Sequence, residues 1–468
     1  MKVKDFGQVF TPKHIVIDVL DAAGYYGENI LKKHIIDNSC GDGAFLIEII
    51  KRYIEVYKNK YNTYNGLKKE LKKYIHGIEI DNDIYQECLK KIDNLINEYQ
   101  IGKINFDIIN DDALIVSEYN QKMDYVVGNP PYVRVHNLKE QRKNVKEYAF
   151  CEEGMTDLYI VFYEIGLKML KKNGVLCYIS PNSFYNSLAG TKLREYLKNY
   201  QNMELLIDLG HYQPFSVTTY TTICKICNNK VFENCQYFKY NIDGIKKFIC
   251  SIDYDDLFID NNIILSTNNK KYFKIFNYKV SKKTKILVKN GFATLNDDVF
   301  IQDSFSFEDN TIDIIKASTG KWKKCLYPYD KNGKLIPFEM LSENIQEYFL
   351  IHKEKLSKDK RKNKMNWYSF GRSQAIKDVF KKKYAINTTI KDIETIKLNV
   401  VSEGNGIYSG LYILTDIPFA KIKEKIYCNE FIDYLKIINK CKSGGYYTFS
   451  SKDLQKYLNY CLEDEVDE

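Results

Sequence analysis

The chain has 468 residues, more than a single core is expected to serve, so the length predicts two or three domains. Apolar residues make up 44% and aromatics 14%, which excludes a mainly disordered chain. No run reaches the roughly 18 apolar residues of a membrane span, and residues 1–14 lack a signal-peptide core, so a cytoplasmic protein without a membrane partner is expected. The net charge of +8 comes almost wholly from lysine, with only six arginines (Arg52, Arg134, Arg142, Arg194, Arg361 and Arg372), in a chain also rich in Asn, Ile and Tyr. A/T-rich codons favour that composition, so the charge permits a nucleic-acid partner without arguing for one.

The first half reads as alternating strands and helices. KHIID (33–37) predicts a strand and 43–58 a helix with apolar residues at helical spacing. KYIHGIEID (73–81) predicts a second strand and 82–99 a second amphipathic helix. FDIIND (106–111) and MDYVVGN (123–129) follow as strands, then a buried helix over 157–170, a strand over 174–181, and late strands at 203–210 and 218–226. Such alternation implies an α/β, Rossmann-like doubly wound sheet that is mostly parallel, with ligands beyond the carboxyl ends of its strands. Past about residue 230 the alternation fades into a mixed α+β pattern with aromatic and basic mixtures, GKWKKCLYPYD (320–330) and NWYSFGRSQAI (366–376), a lysine-rich run at 352–364 and an acidic tail at 462–468. A catalytic domain over 1–235 and a second domain over 236–468 are the expected division. The twelve cysteines are scattered without a secretory signal and read as reduced thiols. Cys224 and Cys227 form a CxxC on a predicted strand, where residues three apart face opposite sides, so no metal is expected there.

Chemistry is sought just after each strand. After the first come Asp37, Asn38, Ser39, Cys40, Gly41, Asp42 and Gly43, whose glycines allow a tight turn and close backbone approach to a ligand, or a turn alone. At the end of the second strand Glu79 is placed to bind a ribose diol, while Asp81 or Asn82 caps the next helix. Glu79 lies further from the glycines than the ~20 residues of the dinucleotide fingerprint, a difference that the long first helix and its loop can absorb. After the third strand Asn110-Asp111-Asp112 offers a carboxylate for an exocyclic amine, or another helix cap. After the fourth stand Asn129-Pro130-Pro131-Tyr132. Two prolines stiffen the chain, so the Asn129 side-chain oxygen and the Pro130 carbonyl can face one –NH2 group, and Tyr132 offers a flat face for stacking. Alone the tetrapeptide equally suits a proline turn; with the glycine loop and the acids on the three preceding strands, the ligand site prevails.

With these residues in place, the chain resembles the gamma-class DNA (adenine-N6) methyltransferases of type II restriction–modification systems, a class I S-adenosylmethionine-dependent family. The resemblance runs in order through Gly7-Gln8-Val9-Phe10-Thr11-Pro12, Asp37 to Gly43 and Asn129 to Tyr132, and more weakly over 291–301, 366–376 and 443–451. It implies that Thr11, Asp37, Cys40, Gly41 and Gly43 hold the methionine end of S-adenosylmethionine, Glu79 its ribose and Asp111 its adenine. Asn129 and Pro130 would hold a flipped-out target adenine in double-stranded DNA and Tyr132 would stack on it. A second aromatic wall is expected at Phe215, with Tyr212 and Tyr220 as alternatives. The second domain would be the target-recognition domain, where Arg372 meets a guanine edge, a phosphate or a structural carboxylate. A monomer on DNA and a possible cognate restriction endonuclease are the implied partners. Methyltransferases of ribosomal RNA or of a protein glutamine amide carry the same tetrapeptide and form the alternative; the long second half favours DNA.

Overall fold

The computed structural model describes residues 11–135, 145, 147–152, 157–215, 219–266, 269–279, 286–358 and 366–462. Residues 7–10 of the first motif, 359–364 of the lysine run and 463–468 of the tail lie outside them. The chain divides into two compact units, Met1–Lys270 and Lys271–Glu468. The division falls later than the expected 235/236 because two further strands, Asn234–Tyr240 and Lys246–Asp253, continue the first unit's sheet.

That sheet holds β1 (Ile35–Asp37), β2 (Ile75–Glu79), β3 (Asp107–Asn110), β4 (Met123–Gly128), β5 (Leu170–Pro181), β6 (Met203–Asp208), β7 (Thr221–Cys227), β8 (Asn234–Tyr240) and β9 (Lys246–Asp253). Their spatial order is β3-β2-β1-β4-β5-β7-β6-β8-β9. β1 to β5 are mutually parallel, and β7 inserts antiparallel between β5 and β6. The order reverses between β1 and β4, and at such a switch point connections leave for opposite faces and open a crevice.

Side-chain alternation explains why both faces are covered. Ile35, Val127, Cys177 and Ile179 enter one apolar cluster with α1 (Lys13–Ala23), α2 (Ala44–Tyr61), α3 (Leu67–Tyr74) and α4 (Asn82–Glu98). Their immediate neighbours Ile36, Val126, Leu176 and Tyr178 enter the other, with α5 (Leu158–Met169) and α6 (Thr191–Tyr200). A strand buried on both faces reads as a continuous apolar run, which is how DYVVG and GVLCYIS appear. α2 buries the stripe Phe45, Leu46, Ile49, Ile50, Tyr53, Ile54 and Tyr57, the spacing of one helix face. α5 is buried nearly all round, and Gly166 lets it close on β5, since a β-carbon there would lie 2.5 Å from Leu176.

The second unit is mixed α+β. One antiparallel sheet orders Leu287–Asn290, Leu411–Leu414, Lys383–Ile386 and Leu398–Val401; a mixed sheet orders Ile301–Gln302, Lys321–Leu326, Thr311–Lys316 and Gly406–Tyr408, the last pair parallel. One of its cores is aromatic, with Phe292, Phe300, Tyr327, Tyr329, Phe349, Trp367, Tyr368 and Phe370 all buried.

Gly128 sits where the two central strands crowd each other. Its φ is +150°, and a β-carbon there would lie 2.6 Å from Asp37 Oδ1. Gly128→Ala should therefore cost about 1–3 kcal/mol of stability, read as a lowered midpoint of urea unfolding; an unchanged midpoint would show that the crossing tolerates a side chain.

Candidate active site

An open cleft enclosing about 980 Å³, solvent at its mouth included, lies at the switch point. Thr11, Asp37, Cys40, Gly41, Glu79, Asp111, Asn129 and Pro130 all line it, so the first, second, third and fourth strand-end motifs meet in one place. Asn38, Asp42 and Asp112 line it beside them, and so do Val133, Leu158 and Phe162, to which the sequence reading gives no role. Leu158 and Phe162 lie four apart, on one face of α5 at its N-terminal end. That spacing was the available signal, but an apolar pair in an apolar helix reads as core.

The loop after β1 is shaped by backbone contacts. Cys40 N–H donates to the Ile78 carbonyl at 2.9 Å and Gly43 N–H to the Cys40 carbonyl at 2.9 Å. Gly41 and Gly43 have φ of +55° and +88°, conformations that favour glycine. Gly43 does not line the cleft; it precedes α2, and a β-carbon on it would strike the Cys88 thiol at 2.7 Å. A β-carbon on Gly77 would in turn lie 3.4 Å from the Cys40 thiol. Asn38 is buried and accepts a hydrogen bond from the Tyr178 hydroxyl at 2.8 Å, so β5 steadies this loop across β4.

The cleft is acidic. Glu79 is 5% exposed, and its two oxygens accept the N–H groups of Gly41 and Asp81, each at 2.9 Å. Asp81 caps α4 through the Asp83 and Ile84 N–H groups, which leaves Glu79 to the cleft. Burial pushes the Glu79 and Asp112 carboxyls above the usual carboxylate range. Asp37 is 1% exposed and accepts the Ser39 N–H at 3.1 Å. Its burial, opposed by that bond and reinforced by Glu79 and Asp42, raises its carboxyl to about 8. Asp42 is paired with Lys91 of α4. Asp111 is exposed; its N–H donates to the Glu79 carbonyl at 3.1 Å and its side chain accepts the Asp112 N–H at 2.7 Å.

Asn129 follows directly on β4, and its Nδ2 donates to Thr11 Oγ1 at 3.1 Å, tying the tetrapeptide to the segment that leads into α1. Tyr132 stands just outside the cleft lining. Its hydroxyl is buried without a hydrogen-bond partner among the described residues, and burial pushes it well above the usual tyrosine range. Phe215 meets it edge to face, with centroids 6.4 Å apart and planes at 90°. The alternatives are engaged elsewhere: Tyr212 bonds His14 and stacks on Tyr240, while Tyr220 meets His211. In the second unit, Trp367, Tyr368 and Phe370 of NWYSFGRSQAI are core residues, whereas Arg372 is exposed.

A switch-point cleft between β1 and β4, with an acid ending β2 and an antiparallel β7, defines the class I S-adenosylmethionine-dependent methyltransferase fold, and that compound is the cofactor that accompanies it. The model of the family described as Eco57I restriction-modification methylase matches residues 42–215. The type II methyltransferase M.BstVI of Geobacillus stearothermophilus is 31% identical over 231 residues, covering 46% of this chain and 41% of that protein. The type II restriction enzyme and methyltransferase RM.Eco57I of Escherichia coli is 26% identical over 543 aligned positions, covering 89% of this chain and 54% of that one. The chain thus spans about half the length of the curated relatives it matches. Among solved structures, the type IIL restriction-modification enzyme MmeI in complex with DNA has the same fold at a TM-score of 0.65, with 14% identity over 94% of this chain and 63% of that one. Among the described residues, no helix is long and apolar enough to cross a membrane.

The buried acid yields a pH test. A carboxyl at about 8 in the fold, against 3.8 ordinarily, keeps a proton that the unfolded chain has released, so its contribution favours the fold at low pH and is lost as pH rises towards 8. Asp37→Asn stays neutral and should lose less stability than the parent chain between about pH 5 and 8, the difference growing by at least ~1 kcal/mol. Urea unfolding at intervals across that window measures it; parallel pH profiles would mean that Asp37 is ionised throughout.

Proposed function

We propose that this chain is a site-specific DNA methyltransferase that modifies the N6 amine of an adenine turned out of double-stranded DNA, as the modification enzyme of a restriction–modification system. The observation that carries this reading is the continuity of one cleft: Asn129, Pro130 and Pro131 share it with Asp37, Glu79 and Asp111. The family match over residues 42–215 and the names of the relatives, all methyltransferases of such systems, support it.

The cleft suits S-adenosylmethionine. Its acids complement a ligand bearing sulfonium and ammonium charges, which would favour release of the proton that buried Asp37 keeps, and each Glu79 oxygen keeps a lone pair for a ribose hydroxyl after accepting one backbone N–H. Thr11, Asp37, Cys40 and Gly41 would hold its methionine end, with Gly43 shaping the turn behind them, and Asp111 its adenine amine. When bound, S-adenosylmethionine supplies an electrophilic methyl group on sulfur. The chain's own residues do the rest. The Asn129 side-chain oxygen and the Pro130 carbonyl accept the two N–H bonds of the target amine. They turn its lone pair towards the methyl and draw electron density back onto nitrogen. The stiff Pro130-Pro131 backbone holds that geometry, and near-attack placement is worth about 7–11 kcal/mol at best. Tyr132 and Phe215 give the extruded base an aromatic corner, since a base inside a duplex is out of reach. The amine proton departs after transfer, so the site needs no strong base.

Asn129→Ala should lower methyl incorporation into unmethylated plasmid DNA by at least a hundredfold while calorimetric binding of S-adenosylmethionine persists; an active variant would sink the mechanism. Glu79→Ala should weaken that binding by about tenfold or more, and unchanged affinity would remove the ribose role. Single-molecule sequencing of DNA from expressing cells should show N6-methyladenine at one motif. A cytosine N4 mark would change the base, and methyl transfer to ribosomal RNA or protein alone would reject the DNA reading.

A further inference from the structure

We infer that two loops of the second unit, residues 291–296 and 370–374, form one rigid head that reads DNA in the major groove, with Arg372 on a guanine edge and Leu295 against a thymine methyl group. The inference rests on the DNA reading above and adds the residues that choose the sequence.

The loops are pinned together. Gly371 N–H donates to the Thr294 carbonyl at 2.8 Å, Arg372 N–H to the Ala293 carbonyl at 3.1 Å, and Gln374 Nε2 to the Gly291 carbonyl at 2.7 Å. Beneath them Phe370 is buried against Phe292, Phe300 and Tyr329, with ring centroids 5.0–5.3 Å apart, and its N–H donates to the Tyr329 hydroxyl at 2.7 Å. A reading head on such a base keeps its side chains in place before DNA arrives.

The residues this base carries are odd for a turn. Leu295 has φ of +60° and is 52% exposed. A bulky L-residue is strained in that conformation, and a half-exposed leucine gains little from burial; Asn or Gly would relieve the strain. Strain held by a rigid surround is found where a side chain is needed for a ligand. The leucine side chain lies over Gly371, where a β-carbon would be 2.4 Å from it, so it covers the residue that precedes Arg372.

Arg372 is equally unspent. Arg52 pairs with Asp21 and Glu48, Arg194 is buried on the carbonyls of Phe184 and Ser187, and Arg134 reaches Asp157 at 4.0 Å. Arg372 is exposed, and among the described residues no carboxylate pairs with it. A guanidinium fork near an apolar knob matches two features that the major groove presents together, the paired acceptors of guanine and the methyl of thymine.

The test expresses the full chain and its Arg372→Ala, Arg372→Lys and Leu295→Asn variants in a methylation-deficient bacterium and reads the marks by single-molecule sequencing. Arg372→Ala should relax choice at one guanine of the motif by about tenfold or more, and Arg372→Lys should restore it only in part, because an ammonium lacks the fixed planar fork. Leu295→Asn should relax choice at one thymine while holding or raising the thermal midpoint, an outcome that a merely structural leucine would not give. S-adenosylmethionine binding by calorimetry should stay unchanged in all three. Variants that mark the parent motif with undiminished discrimination overturn the inference. So does a uniform loss of marking at every sequence, the sign of phosphate contact alone. A parent chain that marks no DNA removes the underlying function and the inference with it, and is told apart by the parent's own result.

Discussion

The first unit depends on a close approach between a carboxyl oxygen of Asp37 and the place where Gly128 has no side chain, 2.6 Å from an added β-carbon. β1 and β4 run side by side, Asp37 in register with Val127. The glycine loop follows the first of these strands, and Asn129 and the prolines follow the second. Because the strands touch through a missing side chain, the two loops share one cleft. Tyr178, the β5 partner of Gly128, reaches over the same gap to Asn38. The distance between a cofactor and a target amine would thus be set by strand packing, the stiffest part of the fold, rather than by loop conformation.

The cleft also inverts the charge of the chain. Asp37, Asp42, Glu79, Asp111 and Asp112 line it, within a protein of net charge +8. Local partners explain how the central acids persist despite their burial. Backbone N–H groups hold Asp37 and Glu79, Lys91 offsets Asp42, and the rest of the cost shows as raised carboxyl protonation. The whole-chain charge was therefore a poor guide to the site, whereas the position of each acid at a strand end was a good one.

Much of the first unit was legible because its strands are short apolar runs and its helices carry stripes, and both signals are local. Asn82–Glu98 and Ala44–Tyr61 fall within three residues of the ranges read from spacing. Non-local pairing was not legible. Nothing in TTYTTICKIC says that it lies antiparallel between β5 and β6. The expected 235/236 boundary cuts β8 and leaves β9 outside the first unit, because β9 is largely exposed and carries little apolar pattern. The strand-end motifs pointed to the cleft since such sheets bind ligands there. Phe215, Tyr212 and Tyr220 lie within one irregular stretch that carries no periodic signal, and contact with Tyr132 is what distinguishes Phe215 from the other two. Leu295 had no sequence signal at all, as its meaning lies in a backbone angle.

Two glycines near the loop after β1 are held by different constraints. A β-carbon on Gly77 would press on Leu46 and Ile108 at 3.0 and 3.1 Å, whereas one on Gly43 would meet the Cys88 thiol at 2.7 Å. Shrinking Cys88 would clear the space beside Gly43 but not its φ of +88°, so packing and backbone both hold that position to glycine. At Gly77 the constraint is packing alone, and a smaller residue at Leu46 or Ile108 could relieve it. The turn that opens α2 is therefore less free to change than the strand that lies behind it.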